Sequence, residues 1–548
     1  MYHRTERLHV TRRMIVLSLA VLVCVAAVCV WAGRGPRTRE LLREVYTPTF
    51  ETVPPMAPIG ETIAELRRDL ASPAGHAFLV RLGAGQRGVL WIALLVTLGV
   101  AFDVSRRRSS RNVDLILMLA LGLMFFDMMR FFRVRLDPAY WRLLDLVYSA
   151  IFALNAALLV RALWRVRWQS LPSAWQPNLR GPVLAALALV LVAADVGAAL
   201  TRTPDDAGYF VNLGAQRLRE RGRLPYGDPL LTGTPGAAYG PVLYAAHVPF
   251  QVLMDPRSPN PGPNTRPPLG DAATYVLPPP LATKLCTITL HLAGVLALFI
   301  IGLRLTGQPD VGWALVALYC GSGFVLGIGG DEEFIGGMTF VSHIGPAALT
   351  LIAFACLPIP TLAGALLAVS VGAGFYPAFM LPAWAGYFWR DRPRLVRFLA
   401  GFALAAAVIG GATLALSRPA NGRGLIGTIL NDTFGHHTDP RGYGRSPFGF
   451  WGQREGIRRW LMTPLVGESS LATPFYAVFY ALVAATFVLA RGASAAQLAS
   501  LTASIAIMAM LVKVQSTGTY VAWAYPFLLI GIVANGTRPA SDRVIVVQ

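Results

Sequence analysis

An all-α polytopic membrane protein is the fold class this sequence predicts: a bundle of about 12–14 transmembrane helices with large extracytoplasmic loops. Three observations predict it. Of 548 residues, 55% are hydrophobic and only 14% charged, an imbalance foreign to soluble enzymes of this length. The apolar residues gather in runs that approach the ~20 residues a spanning helix needs. The cations behind the formal net charge of +19 sit in short segments between those runs, as the positive-inside rule expects, so nucleic-acid binding is rejected as the reason for the charge. All the basic residues are arginine except Lys284 and Lys513. Cys24, Cys29, Cys286, Cys320 and Cys356 lie in apolar stretches with no C-x-x-C pair and no histidine at ligand spacing, and they read as small buried hydrophobes, not as disulfides or metal ligands.

Taken in order, the run 14–32 follows the basic segment HRTERLHVTRR and starts inside. Its apolar core exceeds the ~7–15 residues of a signal peptide and no clear A-x-A site follows, so it reads as an uncleaved anchor. Residues 33–88 are then outside and contain a polar helix candidate, GETIAELRRDLASP. A helix over 89–104 returns the chain to SRRRSSRN, and helices near 113–130 and 143–161 bring it to RALWRVRWQSLPSAWQPNLRG, both arginine-rich and inside. The run 182–200 must cross outward, so TPDDAGYF emerges on the extracytoplasmic face. A long Pro/Gly-rich loop follows to about 280. Further crossings are expected at 281–303, 311–328, 344–357, 361–374, 375–389, 396–416, 474–490, 497–514 and 519–535, with 361–374 and 375–389 short enough for a re-entrant pair.

Adjacent carboxylates where a membrane helix meets water, Asp205 and Asp206, suit either a catalytic base or a metal ligand. They also suit a helix cap, because AGYFVNLGAQRLRERG after them has the pattern of a helix and acids are favoured at its start. One of the pair suffices for the cap, so both roles fit together.

The order of an apolar helix, DDAGYFVNLGAQRLRERGRLPYGDPLL and then AAYGPVLYAAHVPF resembles the first external loop of GT-C-fold glycosyltransferases that use polyprenyl-phosphate sugars, notably polyprenol-phosphate-mannose-dependent mannosyltransferases and related bacterial membrane proteins. There the pattern runs D-x-x-x-Y or D-x-G-Y, a helix, G-x-x-x-P-Y and Y-x-P-x. Asp206 with Gly208 and Tyr209 matches one spelling, and Asp205 with Tyr209 the other. Gly222, Pro225 and Tyr226 supply the middle element; Tyr239, Gly240 and Pro241 supply the last in a variant spelling. The likeness covers roughly 182–250, and the later helices follow only in layout. It implies a GT-C-like bundle in the bacterial plasma membrane with an extracytoplasmic active site. It also implies a polyprenyl-phosphate sugar donor carrying mannose or another hexose or pentose, and a glycan or glycolipid acceptor. A loop carboxylate serves as general base, Asp206 first and Asp205 second, and Tyr209, Tyr226 and Tyr239 are expected around the substrates. In most relatives that carboxylate follows the first membrane helix. Here four expected helices and a polar segment precede that unit of helix and carboxylate, so residues 1–180 read as an N-terminal accessory membrane domain and 181–548 as the transferase module.

The remaining outside loops hold further candidates. GGDEEFIGGMTFVSHIGP, 329–346, carries Asp331, Glu332, Glu333 and His343. Its acids read as a solvated turn or as ligands for a divalent cation (Mg or Mn) bridging the donor phosphate, since magnesium commonly takes one or two carboxylates plus phosphate oxygens; the family uses such metals inconsistently, and no metal residue is assigned. The late loop holds His436, His437, Arg441 and Arg445. Its adjacent histidines make a poor zinc pair, whereas arginines on the outside run against the charge rule and suit a donor phosphate or an anionic acceptor. Lys513, before QSTGTYVAW, is a further phosphate ligand or a snorkelling cation. A lipid-linked saccharide transporter or flippase is the rival class, with Asp127 and Asp195 as intramembrane polar groups; against it, the polar content lies mostly in loops and no internal repeat is evident.

Overall fold

The computed structural model describes residues 87–131, 141–168, 175–201, 206–229, 231, 235–254, 280–326, 341–420, 422–435, 472–512 and 518–534, together with Arg68. Among them every regular element is helical. The expected helix at 14–32 and nearly all of GETIAELRRDLASP lie outside the described residues.

The first four described apolar runs fold as helices within a few residues of expectation, except that the third continues seven residues past its expected end at 161, into the arginine-rich connection. They give α1 (Arg87–Val100), α2 (Ser110–Phe131), α3 (Trp141–Trp168) and α4 (Gly181–Thr201). The polar segment after α4 is α5 (Asp206–Arg221). A helix not anticipated from sequence, α6 (Pro241–Leu253), rises from the Pro/Gly-rich loop; its prolines read as punctuation, yet Pro241 sits at the helix start where a missing N–H costs nothing. Then come α7 (Pro280–Thr306), α8 (Pro309–Cys320), a single turn α9 (Gly323–Leu326), α10 (Val341–Ala355) and α11 (Pro360–Gly374). The chain continues with α12 (Leu381–Phe388), α13 (Arg392–Leu416), the short α14 (Leu425–Leu430), α15 (Ala472–Leu489), α16 (Ala495–Val512) and α17 (Tyr525–Ala534).

Three expected single helices are broken. The run 311–328 stops at Gly321, and Ser322 Oγ accepts the Val325 N–H at 3.1 Å to start α9. The run 375–389 opens with Phe375 at a φ of 58°, a 3₁₀ turn over Tyr376–Met380, and only then α12. The run 519–535 begins as 3₁₀ over Gly518–Trp523. Such breaks are tolerated in an apolar chain where neighbouring protein surrounds the backbone.

Among the described residues three helices, within Gly181–Leu200, Leu281–Thr306 and Arg392–Leu416, are long and apolar enough to cross a membrane. Most of α13 is uncovered, with Val396, Leu404, Val408 and Leu414 exposed, as a lipid-facing helix would be. One continuous buried core runs from α1 to α17, so it spans the expected boundary at 180. Gln497 Nε2 reaches the Val166 carbonyl across it at 2.9 Å, and the Asp310 carboxylate accepts the Gly181 N–H at 3.1 Å.

The two ends of the bundle differ in charge. Asn178 N–H bonds the Val100 carbonyl, and Arg304 donates to the Ala355 carbonyl, which brings the α1, α4, α7, α8 and α10 ends together. Arg392 and Arg491 lie over the Trp389 ring at 3.7 and 4.7 Å. This end carries Arg106, Arg107, Arg108, Arg180, Arg390 and Arg392. At the other end Lys284 Nζ donates to the Leu200 carbonyl at 2.8 Å, a cation at the negative end of the α4 dipole.

The crossing of α11 on α13 depends on two glycines. A Cβ at Gly364 would overlap the Phe398 carbonyl oxygen, and one at Gly401 the Thr361 carbonyl oxygen. Gly364→Ala is therefore expected to lower the thermal stability of detergent-purified protein by about 1–3 kcal/mol. Gly410→Ala, a position with open space around it, should leave the melting temperature unchanged or slightly raised; equal behaviour of the two variants would contradict this packing.

Candidate functional site

Asp206 opens α5, and Asp205 precedes it outside the described residues. The short link 202–205 is all that separates a 21-residue apolar helix from a 16-residue polar one. An acid in the first turn is held by the positive end of the helix dipole. Tyr209 lies one turn further along α5.

Val211 and Ala215, four residues apart on one face of α5, enter a small core, and the polar residues tie the helix down. Asn212 offers both its carbonyl and Oδ1 to Gln251 Nε2 of α6, each at 2.7 Å. Arg217 and Arg221 both face Asp228, at 3.4 and 3.8 Å. The chain then folds back onto the end of α13: Leu224 N–H bonds the Leu416 carbonyl at 2.9 Å, and Gly227 N–H donates to Asp432 Oδ2 at 2.8 Å. Gly227 has a φ of +77°, and a Cβ there would overlap the Arg418 carbonyl, so only glycine suits this turn.

Two tyrosines close the loop. Tyr226 donates its hydroxyl to the Tyr239 carbonyl at 2.6 Å. Tyr244 accepts the Tyr239 N–H at 3.1 Å and donates to the Gly236 carbonyl at 2.8 Å. Their rings meet edge to face at 6.0 Å. Burial raises both phenols far above their ordinary range, so both stay neutral donors. Gly240, between Tyr239 and Pro241, is pressed against the Gly372 carbonyl of α11. The D-x-G-Y, G-x-x-P-Y and Y-G-P segments are thus one assembly, joined by a small core that includes Val211, Leu224, Tyr244, Cys286, Val341 and Ala373.

His343 lies on α10 just past Val341 of that core. It is buried, edge-on to Tyr520 at 4.4 Å and 6.0 Å from Trp523, whose other face stacks on Tyr376 at 3.8 Å. His436 and His437 follow directly on the Asn431–Gly435 turn that carries Asp432, and Lys513 follows directly on α16. These three residues lie outside the described residues, as do Arg441, Arg445, Asp331, Glu332 and Glu333.

Sequence reading passed over three residues that build this end: Lys284, Asp432 and His247. His247 of α6 is fully buried, with Nδ1 at 2.7 Å from the Leu243 carbonyl and Nε2 at 3.0 Å from Thr283 Oγ1. Nδ1–H therefore donates to the carbonyl, and the neutral Nε2 accepts the threonine hydroxyl. The only signal for it was a polar residue on an otherwise apolar stretch.

No family model, curated protein or solved structure matches this chain.

Burial lowers the His247 pKa from 6.5 to about 4, with the Leu243 carbonyl opposing. Because the folded value lies below the unfolded one, the unfolded chain binds the extra proton between them. The His247 contribution to stability is whole above about pH 6.5 and is lost as the pH falls towards 4. His247→Gln should flatten that part of the stability–pH curve measured by thermal unfolding in detergent; an unchanged curve would show that His247 does not titrate there.

Proposed function

We propose that this protein is a polytopic membrane glycosyltransferase with a GT-C-like bundle. It moves a sugar from a polyprenyl-phosphate donor to an extracytoplasmic glycan or glycolipid acceptor. The observation that carries the reading is the exit from α4: an apolar spanning helix gives way within a few residues to a polar helix that begins with Asp206, over a loop fixed by Tyr226, Tyr239 and Tyr244. A lipid-linked donor keeps its tail in the bilayer and its sugar phosphate at headgroup depth, so a group that acts on it belongs at such a junction.

In this mechanism the Asp206 carboxylate takes the proton of the acceptor hydroxyl while that oxygen attacks the anomeric carbon. The bond from that carbon to the phosphate oxygen breaks, and polyprenyl phosphate departs with the electron pair. Asp205 caps α5 or orients its neighbour. Tyr209, Tyr239 and His343 are assigned to the substrate side, whereas Tyr226, expected there too, is buried with its hydroxyl committed to the Tyr239 carbonyl and serves the loop. Arg441, Arg445 and Lys513 are assigned to the phosphate or an anionic acceptor, with His436 and His437 beside them. The arginine-rich end faces the cytoplasm of a bacterial cell and the α5 end faces outward.

The second reading, a lipid-linked saccharide transporter, draws on ionisable groups inside apolar helices. Asp195 and His291 are buried, and Asp114 of α2 holds Arg165 of α3 where both are almost fully buried.

Orientation is checked with single cysteines at Arg223 and Arg107, both exposed. Arg223→Cys should react with an impermeant thiol reagent in intact cells, and Arg107→Cys only after permeabilisation. The reverse pattern would remove the extracytoplasmic site.

Asp206→Asn keeps shape but cannot accept a proton, so sugar transfer should fall by about 10² or more while expression and thermal stability stay near normal. Asp205→Asn should cost less activity, or about 0.5–2 kcal/mol of stability if that residue is the cap. Full transfer by both single variants and the double variant would refute the assigned mechanism and put the transporter reading first.

A further inference from the structure

Away from the α5 end, three helices each bring one metal-ligating side chain to a single buried point: Asp195 from α4, His291 from α7 and Cys320 at the end of α8. All three are essentially inaccessible, at 0, 1 and 0% exposure. One ligand atom from each lies within 4.8 Å of the others. Asp195 is six residues before the end of α4, about 9 Å along the helix at 1.5 Å per residue. One turn away along the same three helices lie buried apolar residues, Leu191 on α4, Ile288 and Val295 on α7 and Val316 on α8.

The polar atoms of this cluster are not satisfied by one another. Neither carboxylate oxygen of Asp195 nor either ring nitrogen of His291 has a hydrogen-bond partner. The nearest approach, Asp195 Oδ2 to His291 Nε2, is 3.6 Å, beyond a hydrogen bond. The His291 ring is held by stacking on Tyr319, with centroids 5.8 Å apart and planes at 24°. Four such atoms in a dry core carry a large desolvation cost. A bare Asp–His ion pair or a protonated aspartate would use only one atom of each residue.

We propose that Asp195, His291 and Cys320 form a binding site for one zinc-class divalent transition-metal ion. Three features of the cluster fit such an ion. Carboxylate, imidazole and thiolate are zinc's ligand types, whereas magnesium and calcium prefer oxygen alone. Aspartate and thiolate carry one negative charge each, so with neutral histidine they balance a divalent cation, and the filled site is uncharged among apolar helices. Donor atoms ~2.0–2.1 Å from one zinc at a tetrahedral angle lie ~3.3 Å apart, close to the 3.6 Å observed between Asp195 and His291. On binding, the Cys320 thiol gives up its proton and the ion ties α4, α7 and α8 together. Three protein ligands leave a fourth tetrahedral position for a non-protein ligand. The site does not depend on the glycosyltransferase reading.

The test uses the full chain purified in detergent without chelator. Elemental analysis should find close to one transition-metal ion per chain. After chelation and reloading with Co²⁺, a thiolate-to-cobalt charge-transfer band and tetrahedral visible bands should appear. Cys320→Ser should abolish the charge-transfer band, whereas Cys286→Ser and Cys356→Ser should retain it. Wild-type protein with neither retained metal nor cobalt bands would overturn the site, and so would an unchanged band in Cys320→Ser. Should Cys320→Ser not fold, the wild-type measurements decide alone, with Asp195→Asn expected to bind Co²⁺ at least tenfold more weakly.

Discussion

The α5 end of this molecule depends on one set of contacts, the bonds by which the 222–240 loop is tied to the end of α13. Leu224 N–H to the Leu416 carbonyl and Gly227 N–H to Asp432 are main-chain donors satisfied by a segment far away in sequence. A loop leaving an apolar helix carries many backbone groups that lipid cannot solvate, so it must find such partners or rise into water. Here it finds them, with Tyr226 and Tyr244 bonding the Tyr239 and Gly236 carbonyls. The result is a fixed floor under the start of α5. Together with the Asn212–Gln251 bonds and the Asp228 ion pairs it holds α5, with Asp206 at its first position, against α6.

That same constraint explains where polar chemistry appears. The ends of the bundle differ in build, with the α5 assembly and its own Arg217 and Arg221 at one end, while the interior is joined by helix crossings such as Gly364 against α13. Buried polar side chains elsewhere mostly bond backbone in their own helices, as Thr350 does to the Pro346 carbonyl at 2.8 Å and Thr502 to the Leu498 carbonyl at 2.9 Å. Against that background the unsatisfied atoms of Asp195 and His291 stand apart. They lie two turns below the end of α4, on the helix that leads to Asp206, so a metal-linked change there would reach the α5 junction through α4 itself.

Much of this was legible in the sequence because hydrophobic runs bounded by arginines are a strong signal: α4, α7, α11 and α13 begin and end within a few residues of expectation. The breaks inside expected runs, at Gly321, after Met380 and after Trp523, were not, since a broken apolar run looks like an unbroken one when the break is shielded by neighbours. α6 was missed because its prolines resemble loop punctuation. At the α5 end, the aspartates and the tyrosine pattern stood out, but the partners Lys284, Asp432 and His247 come from distant segments and carry no local signature. The same is true of Asp195, His291 and Cys320: each is a lone polar or sulfur residue on its own apolar helix, and only the packing of three helices brings them together. Cysteines read singly as apolar filler give no hint of that.

The central claim is that the exit from α4 supports group transfer from a lipid-linked sugar. It is tested most directly by reconstituting the purified protein in liposomes with a panel of radiolabelled polyprenyl-phosphate sugars and a membrane glycolipid extract. One donor should be consumed, with label appearing in the acceptor fraction and free polyprenyl phosphate released in equal amount. Label that crosses the bilayer still joined to its polyprenyl phosphate, with no donor cleaved, would contradict it.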